Sequence, residues 1–203
     1  MKQNINCPCG NNLTIEYEES INLDSNPEAL DAILTGSFMS YDCPSCDKRH
    51  KPEYKIMIIW DSKKLKLEVL PEFDRGEFYR KKENVSHETV IGFPEMSDRL
   101  AVIKDDIDPV IIEALKSFLY AKAEESYPDK DVNVWYYCKG AEGIEFHIDG
   151  IRNDEIAVMR VPLELYEKTK NDYHKQPKSD VFAPLRVRSY LSVQNILRHE
   201  LLK

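Results

Sequence analysis

Four of the five cysteines in this 203-residue chain fall in two close pairs. The first pair lies in Cys7-Pro8-Cys9-Gly10 and the second lies in Cys43-Pro44-Ser45-Cys46. A short turn can point two sulfurs in one direction, and four thiolates that converge on one point are the usual ligands of a tetrahedral zinc ion. The spacing therefore predicts a single zinc site, with Cys7, Cys9, Cys43 and Cys46 as its metal ligands.

The two pairs differ in spacing. The second has the C-x-x-C pattern typical of zinc knuckles, in which proline fixes one backbone angle and amide N–H groups face the thiolates. The first has one residue fewer, so its sulfurs must approach an ion from a tighter turn, which Gly10 permits. His50 is an alternative ligand if Cys7 or Cys9 turns away, although a histidine in a charged run is more often a surface residue.

A structural zinc site is the interpretation we favour for the paired cysteines. Four thiolates leave no open coordination position, and the surrounding sequence is too short to form a stable core unaided. A redox dithiol is one alternative, and a catalytic metal or a different metal such as iron is another. Cys138, the fifth cysteine, lies in strand-like sequence beside aromatic residues and is expected to be a buried thiol.

Charge and hydropathy limit the partner and the compartment. The chain has 28 Lys and Arg residues against 36 Asp and Glu, and a net charge of −8 repels phosphate backbones, so we expect a protein partner rather than nucleic acid. No secretory signal is recognisable, and the apolar run at residues 56–60 is too short to span a membrane. These features predict a cytoplasmic protein, in which paired cysteines more often bind metal than form disulfides. No oligomeric state is indicated.

The elements that must position the cysteines are predicted to form an α+β fold. Residues 1–73 are expected to form a small zinc-ribbon-like antiparallel β module with a short helix inserted between the two cysteine pairs. Residues 13–18 alternate between apolar and polar side chains, and residues 54–60 and 64–70 are further strand candidates. The inserted helix has readable ends, since Asn26 can cap it, Pro27 suits its first turn and Gly36 can end it.

The remaining chain is predicted in three parts. Charged, irregular residues 74–99 are interpreted as a connector. Residues 100–173 are expected to form an α+β unit with a helix that begins at Asp108-Pro109, a three-stranded meander over residues 132–161 and a helix from Pro162. Residues 174–203 are interpreted as a basic linker and a C-terminal helix that Ser192 caps, with an apolar stripe of Val193, Ile196, Leu197 and Leu201.

Signals for catalysis or for nucleic-acid binding are weak. No phosphate-binding, nucleophile-elbow or metalloprotease motif is present. His147 lies with Glu145 and Asp149 on the polar face of a predicted strand, where a solvated histidine is the usual case. Two alternatives to a protein-interaction or regulatory role stay open. One is a metal-dependent enzyme that uses the site or His147. The other is a nucleic-acid binder that uses the tail, residues 174–203, which contains six Lys or Arg residues and two acidic residues.

Several of these motifs occur in the order found in a known family. Cys7-Pro8-Cys9-Gly10, Asn22 with Asn26-Pro27-Glu28, Gly36-Ser37-Phe38, Cys43-Pro44-Ser45-Cys46, Asp61 and Pro71 together resemble the CpXC family of bacterial and archaeal proteins. The similarity extends over residues 3–125 and includes the helix from Asp106-Ile107-Asp108 to Leu119. The resemblance implies a bacterial protein with a metal-binding N-terminal module, and it implies no reaction.

Overall fold

The computed structural model describes residues 1–81 and 85–198, which form two compact units. Unit 1 comprises Met1–Lys81 and Ser86–Ser97, and unit 2 comprises Lys82–Val85 and Asp98–Lys203. Both helices and strands are present, so the α+β class is confirmed. In the described part of the chain, no helix is long and apolar enough to cross a membrane.

Unit 1 contains two small hairpins and a larger mixed sheet. Its elements are β1 (Lys2–Asn6), β2 (Asn12–Glu16), β3 (Ser20–Asn22), α1 (Pro27–Leu34), β4 (Tyr41–Asp42), β5 (Arg49–His50), β6 (Ile56–Trp60), β7 (Leu65–Leu70), α2 (Arg75–Arg80) and β8 (Glu88–Ile91). The next helix, α3 (Phe93–Lys104), contains the boundary between the two units. The β1–β2 and β4–β5 pairs are antiparallel, as predicted for the module that carries the cysteines. Pairing of β3 with β6 and of β7 with β8 is parallel, and this was not predicted from the sequence.

Helix α1 follows its local signals. The Asn26 side chain accepts a hydrogen bond from the Ala29 N–H at 3.2 Å, and Pro27 occupies the first turn. Ala29 and Ile33 are buried, and the backbone of Gly36 turns left-handed at φ 70°. The predicted inserted helix is therefore confirmed, because capping and periodicity are properties of neighbouring residues.

The interpretation of residues 74–99 as an irregular connector is wrong for its secondary structure, since α2, β8 and the start of α3 lie there. A buried arginine organises the segment. The Arg75 guanidinium donates to Glu72 at 2.6 Å, to Glu95 at 2.7 Å and to the Ile91 carbonyl at 3.1 Å. Charged side chains in and beside the stretch interpreted as a connector thus form hydrogen bonds around the buried Arg75 guanidinium.

Unit 2 is a helix-covered meander. Its further elements are α4 (Pro109–Ser126), β9 (Asn133–Lys139), β10 (Ile144–Asp149), β11 (Ala157–Val161), α5 (Leu163–Lys175), β12 (Arg186–Val187), β13 (Tyr190–Leu191) and α6 (Gln194–Leu197). Strand β10 lies between β9 and β11 and is antiparallel to both, which confirms the predicted meander. Asp108 caps α4 as predicted, accepting from the Val110 N–H at 2.9 Å.

Residues 182–193 of the C-terminal segment contribute to the core of unit 2. Phe182, Leu185, Leu191 and Val193 are buried in the hydrophobic cluster that α4 and the meander form. The interpretation of a polar linker is therefore wrong, because apolar residues are spaced irregularly along a chain that folds back over the helix. The final helix is short, its stripe residue Leu201 lies outside the described residues, and Ser192 accepts from the Gln194 N–H at 3.1 Å.

Four charged side chains are buried together in unit 2. Lys116 of α4 donates to Asp98 and, at 3.0 Å, to Glu113, and Arg99 lies 3.9 Å from Glu113. Burial lowers the pKa of Lys116, but the two carboxylates outweigh it and raise the pKa above its ordinary value. The same side chains also bond to backbone groups of distant segments, namely those of Tyr136, Leu191 and Val193.

Candidate metal centre

The first knuckle is the turn of the β1–β2 hairpin. The Cys7 N–H donates to the Asn11 carbonyl at 2.8 Å, and the Gly10 N–H donates to the Cys7 carbonyl at 2.9 Å. Gly10 has φ 90°, which closes the turn directly after Cys9. A glycine has no Cβ and adopts this conformation without steric strain, so it allows the shorter C-x-C spacing.

The second knuckle repeats this design in the β4–β5 hairpin. The Cys43 N–H donates to the Lys48 carbonyl at 2.9 Å, and the Asp47 N–H donates to the Cys43 carbonyl at 2.8 Å. Asp47, directly after Cys46, has φ 55°. Both turns therefore place a left-handed residue immediately after their second cysteine, and they differ by one residue between the two sulfurs.

The two knuckles bring all four sulfurs together. The Sγ atoms of Cys7, Cys9, Cys43 and Cys46 all lie within 4.8 Å of one another. Cys7 and Cys46 are 3.6 Å apart, and Cys9 and Cys43 are 3.7 Å apart, so each close contact joins one knuckle to the other. A tetrahedral ion with Zn–S bonds of about 2.3 Å separates its sulfurs by about 3.8 Å. The four side chains thus fit a single tetrahedral metal ion.

Burial and hydrogen bonds distinguish the four thiols. Cys7 and Cys43 are buried, whereas Cys9 and Cys46 are exposed. The backbone N–H of Ser45, together with the Asn11 side chain 3.7 Å from the sulfur, lowers the pKa of Cys43 to about 6 against the opposing effect of burial. The backbone N–H of Cys9 lowers the pKa of Cys7, but burial and the other three thiols outweigh it and raise the pKa to about 12.

This electrostatic pattern is expected for sulfurs that are held so closely. Four thiolates within 4.8 Å repel one another because their like charges are close, and the burial of Cys7 and Cys43 strengthens this repulsion. A divalent cation at their centre replaces that repulsion with attraction, and thiolates are soft ligands that suit zinc or iron. The arrangement is chemically suited to binding a metal ion and provides four ligands of one kind.

The structure separates the other sequence-predicted candidates from this cluster. Among residues 1–81 and 85–198, the four cysteines are the only group of three or more His, Cys, Asp or Glu side chains placed to share an ion, and His50 is not part of it. His50 lies in β5 opposite Tyr41. Cys138 is half-buried rather than a core thiol. Its pKa is raised mainly by burial and, to a smaller extent, by the nearby Glu145 carboxylate.

His147 lies on the outer face of the meander, as the alternating pattern predicted. Its Nε2 is 3.3 Å from Glu145 Oε1, and its ring stacks on Tyr137 with 4.0 Å between centroids. The stacking was not predicted from the sequence, because a register shift between Glu145 and Phe146 sets which residue of β9 lies beside His147. Tyr136 next to it is buried, whereas Tyr137 is exposed.

Replacement of Gly10 by alanine is expected to destabilise unit 1 by about 1–2 kcal/mol, because an L-residue is strained at a left-handed φ. No atom lies within 4 Å of the added Cβ, so the effect comes from the backbone alone. Urea unfolding followed by Trp60 fluorescence in a Trp135→Phe background measures it.

Gly76→Ala is the matched control. Gly76 lies in α2 with no atom within 4 Å of an added Cβ, so alanine there is expected to stabilise unit 1 by about 0.5–1 kcal/mol. Equal effects of the two substitutions would contradict the role assigned to the Gly10 turn.

Comparisons with known proteins agree with the N-terminal motifs. The family described as "CpXC protein" matches residues 5–116, which is more than half of the chain. An "Uncharacterized protein" of Treponema pallidum (strain Nichols) is 33% identical over 214 aligned residues, covering 95% of this chain and 97% of the relative. No solved structure matches the chain.

Proposed function

Because this chain belongs to the CpXC family, we propose that Cys7, Cys9, Cys43 and Cys46 bind one zinc ion and that the ion is structural. The proposal is supported by the closed set of four sulfurs at tetrahedral spacing, which leaves no coordination position for a substrate or an activated water. Zinc has no redox chemistry and favours tetrahedral sulfur ligands, so it suits a site that holds two hairpins together.

The function that this site supports is that of a protein-interaction or regulatory module. Both hairpins are short and bury few apolar side chains, so the ion would fix the surface that they present. The formal charge of −8 favours a protein partner over nucleic acid. Phe73 is an exposed aromatic side chain in unit 1 and is of the type that anchors protein interfaces.

The basic tail offers little support for nucleic-acid binding. Phe182, Leu185, Leu191 and Val193 of this segment are buried in the core of unit 2, so residues 182–193 are packed against the unit and do not form a free arm. Retardation of a labelled oligonucleotide at low salt, lost on raising the salt concentration, would support nucleic-acid binding instead.

Affinity capture with the metal-loaded chain, followed by reconstitution with each purified candidate partner, tests the proposal. We expect a partner that binds the wild-type chain and loses binding to Cys43→Ser, because the variant lacks the fixed surface. Cys138→Ser, which alters the thiol outside the cluster, should bind normally. A metal-dependent turnover of substrate by the wild-type chain, abolished by Cys43→Ser, would contradict a purely structural ion.

A further inference from the structure

The meander of unit 2 has one closed edge and one open edge. Strand β9 lies at one side, and its outward N–H groups donate to side chains of unit 2: those of Val134, Tyr136 and Lys139 bond to Tyr120, Asp98 and Asp105 respectively. Strand β11 lies at the other side, and within residues 1–81 and 85–198 no strand pairs with its outer edge. An open edge is a template for another strand.

Strand β11 exposes apolar side chains on both of its faces. Val158 lies opposite His147 on the outer face and is 58% exposed. Met159 lies opposite Phe146 on the core side, yet it is 42% exposed, and Ile156 just before the strand is 62% exposed. Soluble proteins usually protect an edge with charge or proline, so a strand that is apolar on both faces indicates an interface.

We propose that β11 pairs antiparallel with β11 of a second copy of this chain, joining the two three-stranded meanders into one six-stranded sheet. The charges of the strand favour this occupant and this direction. Its N-terminal end carries Asp154 and Glu155, of which Glu155 makes an exposed ion pair with Arg152 at 3.3 Å, and its C-terminal end carries Arg160. Antiparallel pairing places the acidic end of one copy beside the Arg160 end of the other, whereas parallel pairing would place two Arg160 side chains together.

A two-fold axis at Val158 also matches the side chains by size. It places the small Ala157 opposite Met159 of the second copy on the core side, so the long side chain covers the short one. On the outer face, Val158 meets its own equivalent, and Ile156 lies opposite the aliphatic stem of Arg160. A closed two-fold interface needs a surface of this self-complementary kind.

The Arg160 side chain already makes ion pairs within its own meander, which leave its aliphatic stem along the strand. Its guanidinium pairs with Glu142 at 2.8 Å and with Glu145 at 3.4 Å, so part of its conformational entropy is lost before association. The edge belongs to unit 2, and the inference is independent of the metal ion proposed for unit 1.

Light scattering coupled to gel filtration tests the pairing, with the full-length chain under reducing conditions from about 1 to about 100 μM. We expect a concentration-dependent dimer. Val158→Lys places two like charges opposite each other at the axis and should raise the dimer dissociation constant about tenfold or more. Val158 is solvent-facing, so the monomer should remain folded.

Two further variants make the result specific. Val158→Glu alone should also weaken the dimer, whereas an equimolar mixture of Val158→Lys and Val158→Glu should restore association, because opposite charges then meet at the axis. Tyr137→Lys is the matched control, since Tyr137 is 57% exposed on the outer face of β9, two strands away from the open β11 edge. Its dimer should persist.

Three results would overturn the proposal. The first is a monomer throughout the concentration range. The second is a dimer that Tyr137→Lys abolishes and Val158→Lys leaves intact, which would assign the interface to the sheet face. The third is weakening by both Val158 variants without recovery in their mixture, which would show that the charges do not meet across an axis.

Discussion

Replacement of Cys43 by serine is expected to abolish binding of the proposed zinc ion and to expose both hairpins of unit 1 to solvent exchange. Cys43 is buried, and its sulfur lies 3.7 Å from that of Cys9, so its loss removes one of the two buried sulfurs of the proposed ligand set. Structural zinc contributes about 10–16 kcal/mol in small zinc-binding peptides, which is comparable to the total stability of many domains. The β1–β2 and β4–β5 hairpins have little apolar burial to replace it.

Amide hydrogen exchange, with the metal content measured in parallel, is the assay for this substitution. Protection in residues 2–16 and 41–50 should fall by about 100-fold or more, while β6 and β7, which are largely buried, keep most of theirs. Cys138→Ser controls for the loss of a thiol and should leave both the metal content and the protection unchanged. Retention of the metal and of hairpin protection in Cys43→Ser would show that this sulfur is not a ligand.

Replacement of Lys116 by methionine is expected to destabilise unit 2 by about 3–5 kcal/mol. The substitution keeps the apolar stem but removes the ammonium group that lies between Asp98 and Glu113, leaving two buried carboxylates near each other. Urea unfolding followed by Trp135 fluorescence in a Trp60→Phe background reports on unit 2.

Arg152→Met is the matched control for this experiment. Arg152 pairs with Glu155 at 3.3 Å, but both side chains are exposed, so its loss should change stability by about 1 kcal/mol or less. A Lys116→Met effect that is no larger than that of Arg152→Met would mean that the buried cluster does not stabilise unit 2.

The features that the sequence predicted correctly depend on residues near one another in the chain. Asn26 and Pro27 determine the start of α1 by capping, and alternation of apolar residues identifies β10. The clustering of the four sulfurs was likewise expected from the cysteine spacing, because each knuckle is a local turn. The close contact between the sulfurs of Cys7 and Cys46 was not predictable, since it depends on how the two hairpins pack against each other.

The features that sequence analysis missed depend on contacts between distant residues. Arg75 bonds to Glu95, twenty residues away, so a segment that reads as polar and irregular is in fact folded around a buried ion pair. A signal did exist for the second buried cluster. Lys116 falls four residues after Ile112 and three before Leu119, on the apolar stripe of α4, where a charged residue indicates a buried partner.

The central claim is that four cysteines hold one structural zinc ion, and metal analysis of the full-length chain tests it most directly. Protein purified without added metal should contain one zinc ion per chain. Of its five thiols, four should resist a thiol reagent until a chelator removes the ion, and the hairpins should then lose protection. A chain without bound metal in which both hairpins remain protected, or one in which all five thiols react at once beside bound zinc, would contradict the account.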